Sequence, residues 1–265
     1  YTVGNTATGD LRITNSTLEN GFSKDPVTGI VPGGGGVTLT GGGAGSNPNW
    51  TYLVQNNDFS GARGSALTIT TGTGAGNYTG TVSNNRIGKT GVTESASYGS
   101  GHGIVLTHQG TGTHKVQFLN NTVRQYGDRG IDISAVDGSP VLRVTLHGNV
   151  IDEPGDAVTN FAGLRIAAGA LGTDNASICA DIGGAGALKN SLSNSHAGNT
   201  RDIAIRGGGG PANFNFPGYG GGSGDFAALT AFLQPRNDGN GTPALFYSES
   251  LSVTETFSGT GTNCL

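Results

Sequence analysis

Apolar residues recur along this chain in short segments that align with one another over eight positions. In each segment two apolar residues lie five positions apart, and the residue two positions before the second one is Asn in four of the five copies. The copies are LRITNSTL (11–18), YLVQNNDF (52–59), GTVSNNRI (80–87), VQFLNNTV (116–123) and VTLHGNVI (144–151). A unit this short cannot bury its own apolar face, so its copies must stack on one another.

A second set of segments alternates apolar with variable residues, which is the period of a strand with one buried face. These segments are Val37–Leu39, Leu67–Ile69, Ile104–Leu106, Ile131–Ile133, Leu164–Ile166 and Ile203–Ile205. Gly or Ala precedes five of the six, which predicts a tight bend where the chain enters each strand. We expect two columns of side chains to point inward: Ile13, Val54, Val82, Phe118 and Leu146 in one, and Leu39, Ile69, Leu106, Ile133, Ile166 and Ile205 in the other.

The spacing between copies varies, and the extra residues fall between the strands. Uniform coils joined by loops of variable length are typical of a parallel β-helix, whereas the apolar residues of an α-helical solenoid would recur every 3.6 residues. The sequence therefore predicts an all-β fold, a right-handed parallel β-helix of about six coils. We assign residues 1–206 to the coils and residues 207–265 to a C-terminal cap.

The cap is predicted to contain one short helix. Asp225 is a capping residue in front of FAALTAFL (226–233), and Pro235 follows its end. The last coil of a solenoid exposes unpaired backbone groups and its apolar lumen, so a cover is expected there. Apolar residues for that cover are Phe214, Phe216, Tyr219, Phe226, Leu229 and Phe232.

The two cysteines, Cys179 and Cys264, form an even count in a Gly-, Thr- and Asn-rich chain. We expect a disulfide that ties the tail back to the coils, the alternative being two free buried thiols.

Composition removes several classes of protein. Fifty residues are Gly, but they have no Gly-X-Y period, which excludes collagen. The net charge of −4 and the scattered basic residues give no reason to expect nucleic acid as a partner. No stretch is long and apolar enough to predict a membrane span. Because the sequence has no Met, we expect a processed product or a piece of a longer protein.

The coils resemble the right-handed parallel β-helix repeats of exported bacterial proteins, the pectate-lyase-like superfold. The tail, with FPGYG (216–220), DFAALTAFLQ (225–234) and the pair Arg236-Asn237, is similar to the C-terminal segment of large bacterial surface or secreted β-helix proteins. In that group a Pro-Gly-Tyr turn precedes an AAxxAFL helix, and cysteines bracket the segment. The resemblance implies export and a role as a module, but it implies no reaction.

The best catalytic candidate is the pair Asp132 and Arg165, which occupy equivalent outward positions on neighbouring coils. Polysaccharide lyases and hydrolases on this fold place carboxylates on the outside of adjacent coils, often with Arg or Lys. Asp128, Asp152, Glu153 and Asp156 are predicted in loops near that strand. The alternative is an exposed ion pair between coils, and Asp58 with Arg86 repeats the same pairing, which favours that interpretation.

The remaining motifs predict no metal or cofactor site. The histidines His102, His108, His114, His147 and His196 lack metal-ligand spacing and are expected on the surface or in turns. The Asn column is expected to satisfy buried polar groups across coils. A hydroxyl array (Thr38, Thr40, Thr68, Thr70, Thr107, Ser134) resembles those of ice-binding solenoids, but Val105, Asp132 and Arg165 interrupt it. A carbohydrate-binding groove is an alternative, although the one Trp, Trp50, is predicted in a loop.

The sequence thus favours a non-catalytic structural module of a secreted or cell-surface bacterial protein, such as a stalk, adhesin or assembly unit. A polysaccharide lyase or hydrolase and a carbohydrate-binding module are the alternatives. We also expect the N-terminal coil to be covered by further coils of a parent chain or by a neighbouring subunit, because an open coil exposes strand edges and lumen.

Overall fold

The computed structural model describes residues 2–3, 6–19, 36–155, 162–192, 195, 201–239 and 255–265. The strands of the N-terminal half are β1 (Thr2–Val3), β2 (Thr8–Thr14), β3 (Thr17–Glu19), β4 (Val37–Gly41), β5 (Asn49–Gln55), β6 (Asp58–Ser60), β7 (Leu67–Thr71), β8 (Asn77–Ser83), β9 (Arg86–Ile87), β10 (Ile104–Gly110), β11 (Thr113–Leu119) and β12 (Thr122–Val123). The later strands are β13 (Arg129–Gly138), β14 (Val141–His147), β15 (Val150–Ile151), β16 (Ala162–Ala168), β17 (Ala176–Ile182), β18 (Asn190–Ser191), β19 (Arg201–Gly207), β20 (Ala212–Asn215), β21 (Asn237–Asp238) and β22 (Glu255–Ser258).

These strands form three parallel sheets, because each turn of the chain adds one strand to each sheet. Sheet I has the order β1-β4-β7-β10-β13-β16-β19, sheet II the order β2-β5-β8-β11-β14-β17-β20-β22, and sheet III the order β3-β6-β9-β12-β15-β18-β21. The predicted all-β parallel β-helix is therefore confirmed. The coil pattern was expected to stop at Gly207, but β20, β21 and β22 continue two of the sheets beyond that residue.

Both predicted inward columns line the lumen. Val54, Val82, Phe118 and Leu146 follow one another in register on sheet II, and each is at most 1% exposed. The equivalent column of sheet I, from Leu39 to Ile205, is equally buried. Ile13, in the first turn, is only half-buried. Stacked apolar side chains thus form one continuous core along the axis.

The Asn column forms a hydrogen-bonded ladder at the corner between sheets II and III. The amide Nδ2 of Asn85 donates to the carbonyl oxygen of Val54 and to Oδ1 of Asn121, both at 2.9 Å. Its Oδ1 accepts from the backbone N–H and the Nδ2 of Asn57, at 3.1 and 2.9 Å. All four hydrogen-bonding positions of this buried amide are used, which is what burial of an Asn requires.

The ladder is longer than the repeat predicted. Asn149 donates to Asn190, and Asn190 donates to Asn237. The sixth turn is not among the five copies aligned from the sequence, yet it also has this Asn. It is present in Asn190-Ser191-Leu192, displaced along the chain because residues 183–189 are inserted between β17 and β18.

In the first five turns, the residue before the ladder position (Ser16, Asn57, Asn85, Asn121 or Asn149) adopts a left-handed conformation, with φ from 51° to 67°. These residues are Asn15, Asn56, Asn84, Asn120 and Gly148. Asn and Gly tolerate this region better than other residues. The Asn-Asn pairs in the sequence therefore combine a turn residue with a ladder residue.

The Gly column before the strands of sheet I has a different cause from the tight bend that was predicted. Neither Gly103 nor Gly130 has a positive φ. A Cβ on Gly103 would lie 2.2 Å from Cγ1 of Val123, and one on Gly130 would lie 2.3 Å from Cγ2 of Ile151. Gly is required there because the corner between sheets III and I packs directly on core side chains.

The predicted short helix is present near the C-terminal end, and two of its side chains join the core. Helix α1 (Phe226–Leu233) begins after Asp225, whose side chain accepts from the N–H of Ala228, and its Leu229 and Leu233 are buried. Two rings of this helix, Phe226 and Phe232, contact Phe257 and Tyr219, and Phe214, Phe216 and Phe257 contact one another. The disulfide between Cys179 and Cys264 joins the tail to β17, with Cα atoms 5.6 Å apart.

The packing predicts unequal effects for two substitutions on neighbouring sheets. Phe118→Ala should lower the free energy of unfolding by about 3–5 kcal/mol, because it leaves a cavity in the lumen. Thr68→Ala, on the outer face of sheet I, should change it by less than about 0.5 kcal/mol. Urea denaturation followed by circular dichroism measures both, and equal effects would contradict the alignment of the coils.

Candidate functional site

Asp132 and Arg165 face outward from sheet I on neighbouring turns. They are in register on β13 and β16. The guanidinium donates from Nε and Nη2 to the two carboxylate oxygens, at 2.6 and 2.8 Å. The side chain of Asp132 is only 7% exposed and that of Arg165 20% exposed. The two residues are therefore a closed bidentate ion pair, and a catalytic role for them stays a prediction.

Three further ionisable side chains surround Asp132. The ring of His102 lies between two carboxylates, 3.7 Å from Asp128 and 3.6 Å from Asp132. Arg129 Nη1 lies 2.5 Å from Asp128 and 3.7 Å from Asp132. Of these three, sequence reasoning had placed only Asp128 near the strand. His102 comes from the turn before β10, and no local spacing connects it to Asp132.

Burial sets the charge state of this cluster. It lowers the pKa of His102 to about 4, the nearby Asp132 opposing the shift and Arg129 and Arg165 adding to it. The imidazole is therefore neutral at pH 7. Burial also lowers the pKa of Arg129, with the charge of Arg165 adding to the effect. Since an arginine remains charged in proteins, the two guanidinium groups balance the two carboxylates.

A groove of about 360 Å³ adjoins the cluster on the outer face of sheet I. Arg165 and Arg206 line it. Its other walls are Ser134, Val136, Ala167, Gly169, Ala170, Gly208 and Gly209. Arg165 is thus the member of the cluster that borders an open surface.

The other acidic residues predicted near this strand are not brought together with Asp132. Asp152 accepts two hydrogen bonds from Arg124 on the outer face of sheet III, at 2.5 and 3.1 Å. Glu153 lies 3.8 Å from the same arginine. Asp156 lies outside the described residues.

Among the residues that the structure describes, the Asp132–Arg165 geometry occurs at two other places. Asp58 and Arg86 pair bidentately between β6 and β9, at 2.6 and 2.5 Å. Arg124 and Asp152 do the same between the residues that follow β12 and β15. Three bidentate pairs on two sheets join adjacent turns, so this geometry is a recurrent means of attaching one turn to the next.

Two histidines expected at the surface lie inside the lumen instead. His108 and His114 are fully buried. His108 Nε2 donates to the carbonyl of Gly112 at 3.0 Å, so its Nδ1 accepts from the hydroxyl of Thr71 at 2.8 Å. His114 Nε2 is 2.8 Å from the hydroxyl of Tyr52. Alternating strand positions could have predicted this, since His114 stands two residues before the inward Val116.

Trp50 also lies in the lumen, and its prediction as a loop residue is wrong. It belongs to β5, is 1% exposed, and packs against Tyr52 and Tyr78. Trp50 stands two residues before the inward Tyr52, just as His114 stands two residues before the inward Val116.

Within the described ranges, no group of three or more His, Cys, Asp or Glu side chains is placed to hold a metal ion. Also within these ranges, no helix is long and apolar enough to cross a membrane. No protein-family model matches the chain, and no curated protein or solved structure is significantly similar to it.

The buried histidines predict a fold that weakens in mild acid. Burial lowers the pKa of His108 to about 4 and that of His114 well below its usual value. Depressed pKa values mean that the unfolded chain binds more protons, so stability is complete above pH 6.5 and is lost as the pH falls toward 4. The loss from His108 alone should be on the order of 3 kcal/mol at pH 4.

The fluorescence of Trp50, the one tryptophan of the chain, reports on the lumen and can follow urea denaturation at pH 7 and pH 4.5. We expect a lower midpoint at pH 4.5 and a smaller pH dependence in His108→Gln. A midpoint that is unchanged between the two pH values would contradict the buried neutral histidines.

Proposed function

We propose that this chain is a non-catalytic structural module of an exported bacterial surface or extracellular protein, serving as a stalk, adhesin or assembly unit. The observation that carries the proposal is the closed pairing of Asp132 with Arg165, because the most plausible catalytic carboxylate is already bound on both oxygens. The same pairing at Asp58–Arg86 and Arg124–Asp152 supports a role in joining turns.

Acid–base catalysis needs carboxyl groups that can exchange protons with a substrate. Asp128 lies 2.5 Å from Arg129, and Asp132 is held by Arg165, so each has a cation partner. Both carboxylates are at most 10% exposed. A substrate would have to break these pairs before either carboxylate could act.

Export is supported by the disulfide between Cys179 and Cys264, because such bonds persist mainly in oxidising compartments.

The cover over the first turn, by a parent chain or a neighbouring subunit, stays a prediction.

A cleavage assay tests the proposal. We expect the purified chain to release neither unsaturated products nor new reducing ends from a panel of acidic and neutral polysaccharides. Turnover by the wild-type chain that is lost in Asp132→Asn or Arg165→Ala would overturn the proposal.

A carbohydrate-active enzyme is the second candidate, favoured by the convergence of His102, Asp128 and Arg129 on Asp132 beside a groove. Asp58→Asn is its matched control, because it opens the same kind of pair far from that groove. The enzyme hypothesis requires Asp132→Asn to abolish cleavage and Asp58→Asn to leave it intact.

A further inference from the structure

Strand β2 forms the N-terminal edge of sheet II, and among the described strands only β5 pairs with it. The carbonyl of Ala7 accepts from the N–H of Asn49 at 3.0 Å, and the carbonyl of Ile13 accepts from Nδ2 of Asn57 at 2.8 Å. The odd-numbered residues of β2 therefore direct their backbone groups toward β5. Because backbone groups alternate in direction along a strand, those of the even-numbered residues point to the open edge. The even-numbered residues are Thr8, Asp10, Arg12 and Thr14.

The inward side chains of this first turn are less covered than those of the second turn. Leu11 and Ile13 are half-buried. Their partners in register on β5, Tyr52 and Val54, are at most 3% exposed. An edge strand that combines unpaired backbone groups with apolar side chains is a template for another strand.

Ser16 marks the end of the amide ladder at this edge. Each ladder Asn accepts the corner N–H of the turn before it, as Oδ1 of Asn57 accepts the N–H of Ser16 at 3.0 Å. The Ser16 hydroxyl instead donates to the carbonyl of Thr14 in its own turn, at 3.0 Å. This corner thus offers no amide to a further parallel turn, which favours a partner of a different geometry.

The charges on the outer face of β2 complement one another under a two-fold rotation. Asp10 and Arg12 lie two residues apart, and their side chains are 54% and 68% exposed. If β2 pairs antiparallel with β2 of a second copy about an axis at Leu11, Asp10 of each copy lies opposite Arg12 of the other. A shift of the register by two residues in either direction would place like charges opposite one another, which destabilises a sheet.

The same register satisfies the backbone and the lumen. Asp10 and Arg12 both direct their N–H and C=O groups to the open edge, so as opposite residues they form a hydrogen-bonded pair of an antiparallel ladder. Leu11 meets Leu11 of the second copy on the inner face of the sheet. A slip of one residue would turn the inward side chains of one copy to the outer face of the other.

We propose that two copies of this chain join through their β2 edges, antiparallel and centred on Leu11, so that sheet II runs continuously through the dimer. The contact is isologous and closes, because one two-fold axis pairs both edges at once. It covers the half-buried side chains of the first turn in each copy. The inference rests on the proposed role as an assembly unit, whose partner it names.

Exchange of the two charges tests the dimer. Sedimentation velocity of the whole chain over a range of concentrations measures its dissociation constant. Arg12→Asp and Asp10→Arg should each raise that constant by roughly tenfold or more, because like charges then face each other across the axis. The double variant Asp10→Arg/Arg12→Asp should return it to within about threefold of the wild-type value, because opposite charges face each other again.

Arg143→Asp is the matched control. Arg143 is also exposed on the outer face of sheet II, but it lies on β14, away from the edge. Its substitution changes the net charge as much as Arg12→Asp does, and we expect the dissociation constant to stay unchanged. Equal weakening by the two substitutions would indicate a general charge effect and overturn the register.

A cysteine placed on the two-fold axis tests the register directly. Opposite residues of a non-hydrogen-bonded antiparallel pair have Cα atoms about 4.5 Å apart, within reach of a disulfide. Leu11→Cys should therefore form an intermolecular disulfide under mild oxidation, seen by non-reducing electrophoresis. Ile13→Cys should not, because Ile13 lies opposite Gly9 of the second copy and about 13 Å along the strand from its own equivalent.

A chain that stays monomeric at all concentrations would overturn the inference and favour a further turn of a parent chain as the cover. A dimer that the charge exchange leaves unaffected, or that cross-links through Ile13→Cys, would overturn it as well. The two proposals fail separately. A monomer leaves the cleavage assay to decide on catalysis, whereas polysaccharide cleavage by an intact dimer would overturn only the non-catalytic role.

Discussion

Hydrogen bonding between stacked asparagine amides is the constraint on which the rest of this structure depends. Each three-stranded turn must place a corner inside the protein, and a corner leaves backbone groups without sheet partners. The ladder from Asn57 to Asn237 satisfies those groups and links each turn to the next. At its C-terminal end Asn237 donates to the carbonyl of Leu233 in α1, so the cap helix continues the same chain of hydrogen bonds.

Because the corners and the lumen fix the turns, the loops and outer faces are free to vary. The insertion at residues 183–189 leaves the ladder intact, since Asn190 still reaches Asn149 and Asn237. On the outside, bidentate pairs such as Asp132–Arg165 add attachment between turns. Partial burial strengthens that pair relative to an exposed one, although such pairs contribute modestly compared with the lumen.

The fold was predictable from the sequence because its determinants are local and repeated. The alternation of Ile104 with Leu106 and the recurrence of Asn85 and Asn121 each report one position of a turn. The helix after Asp225 was predictable for the same reason. The predictions for Trp50 and His114 were wrong because the alternation of inward and outward side chains begins two residues before the aligned segments, at the start of β5 and β11.

The candidate sites were only partly predictable. The register of the repeat brings Asp132 to Arg165, so that contact followed from spacing. The approach of His102 depends on the path of a turn that carries no repeat. Contacts of that kind are set by tertiary packing and leave no periodic signal.

The central claim is tested most directly by comparing two adjacent asparagines of one corner, Asn85 and Asn84. Asn85 is 1% exposed and makes four side-chain hydrogen bonds, whereas Asn84 is exposed and has a φ of 54° that Gly also adopts. The measurement is the urea midpoint of each variant by circular dichroism. Asn85→Ala should cost several kcal/mol, about 1–3 for each buried polar group left without a partner, and Asn84→Gly should cost less than about 1 kcal/mol. Equal midpoints for the two variants would contradict the claim that the amide ladder holds the turns together.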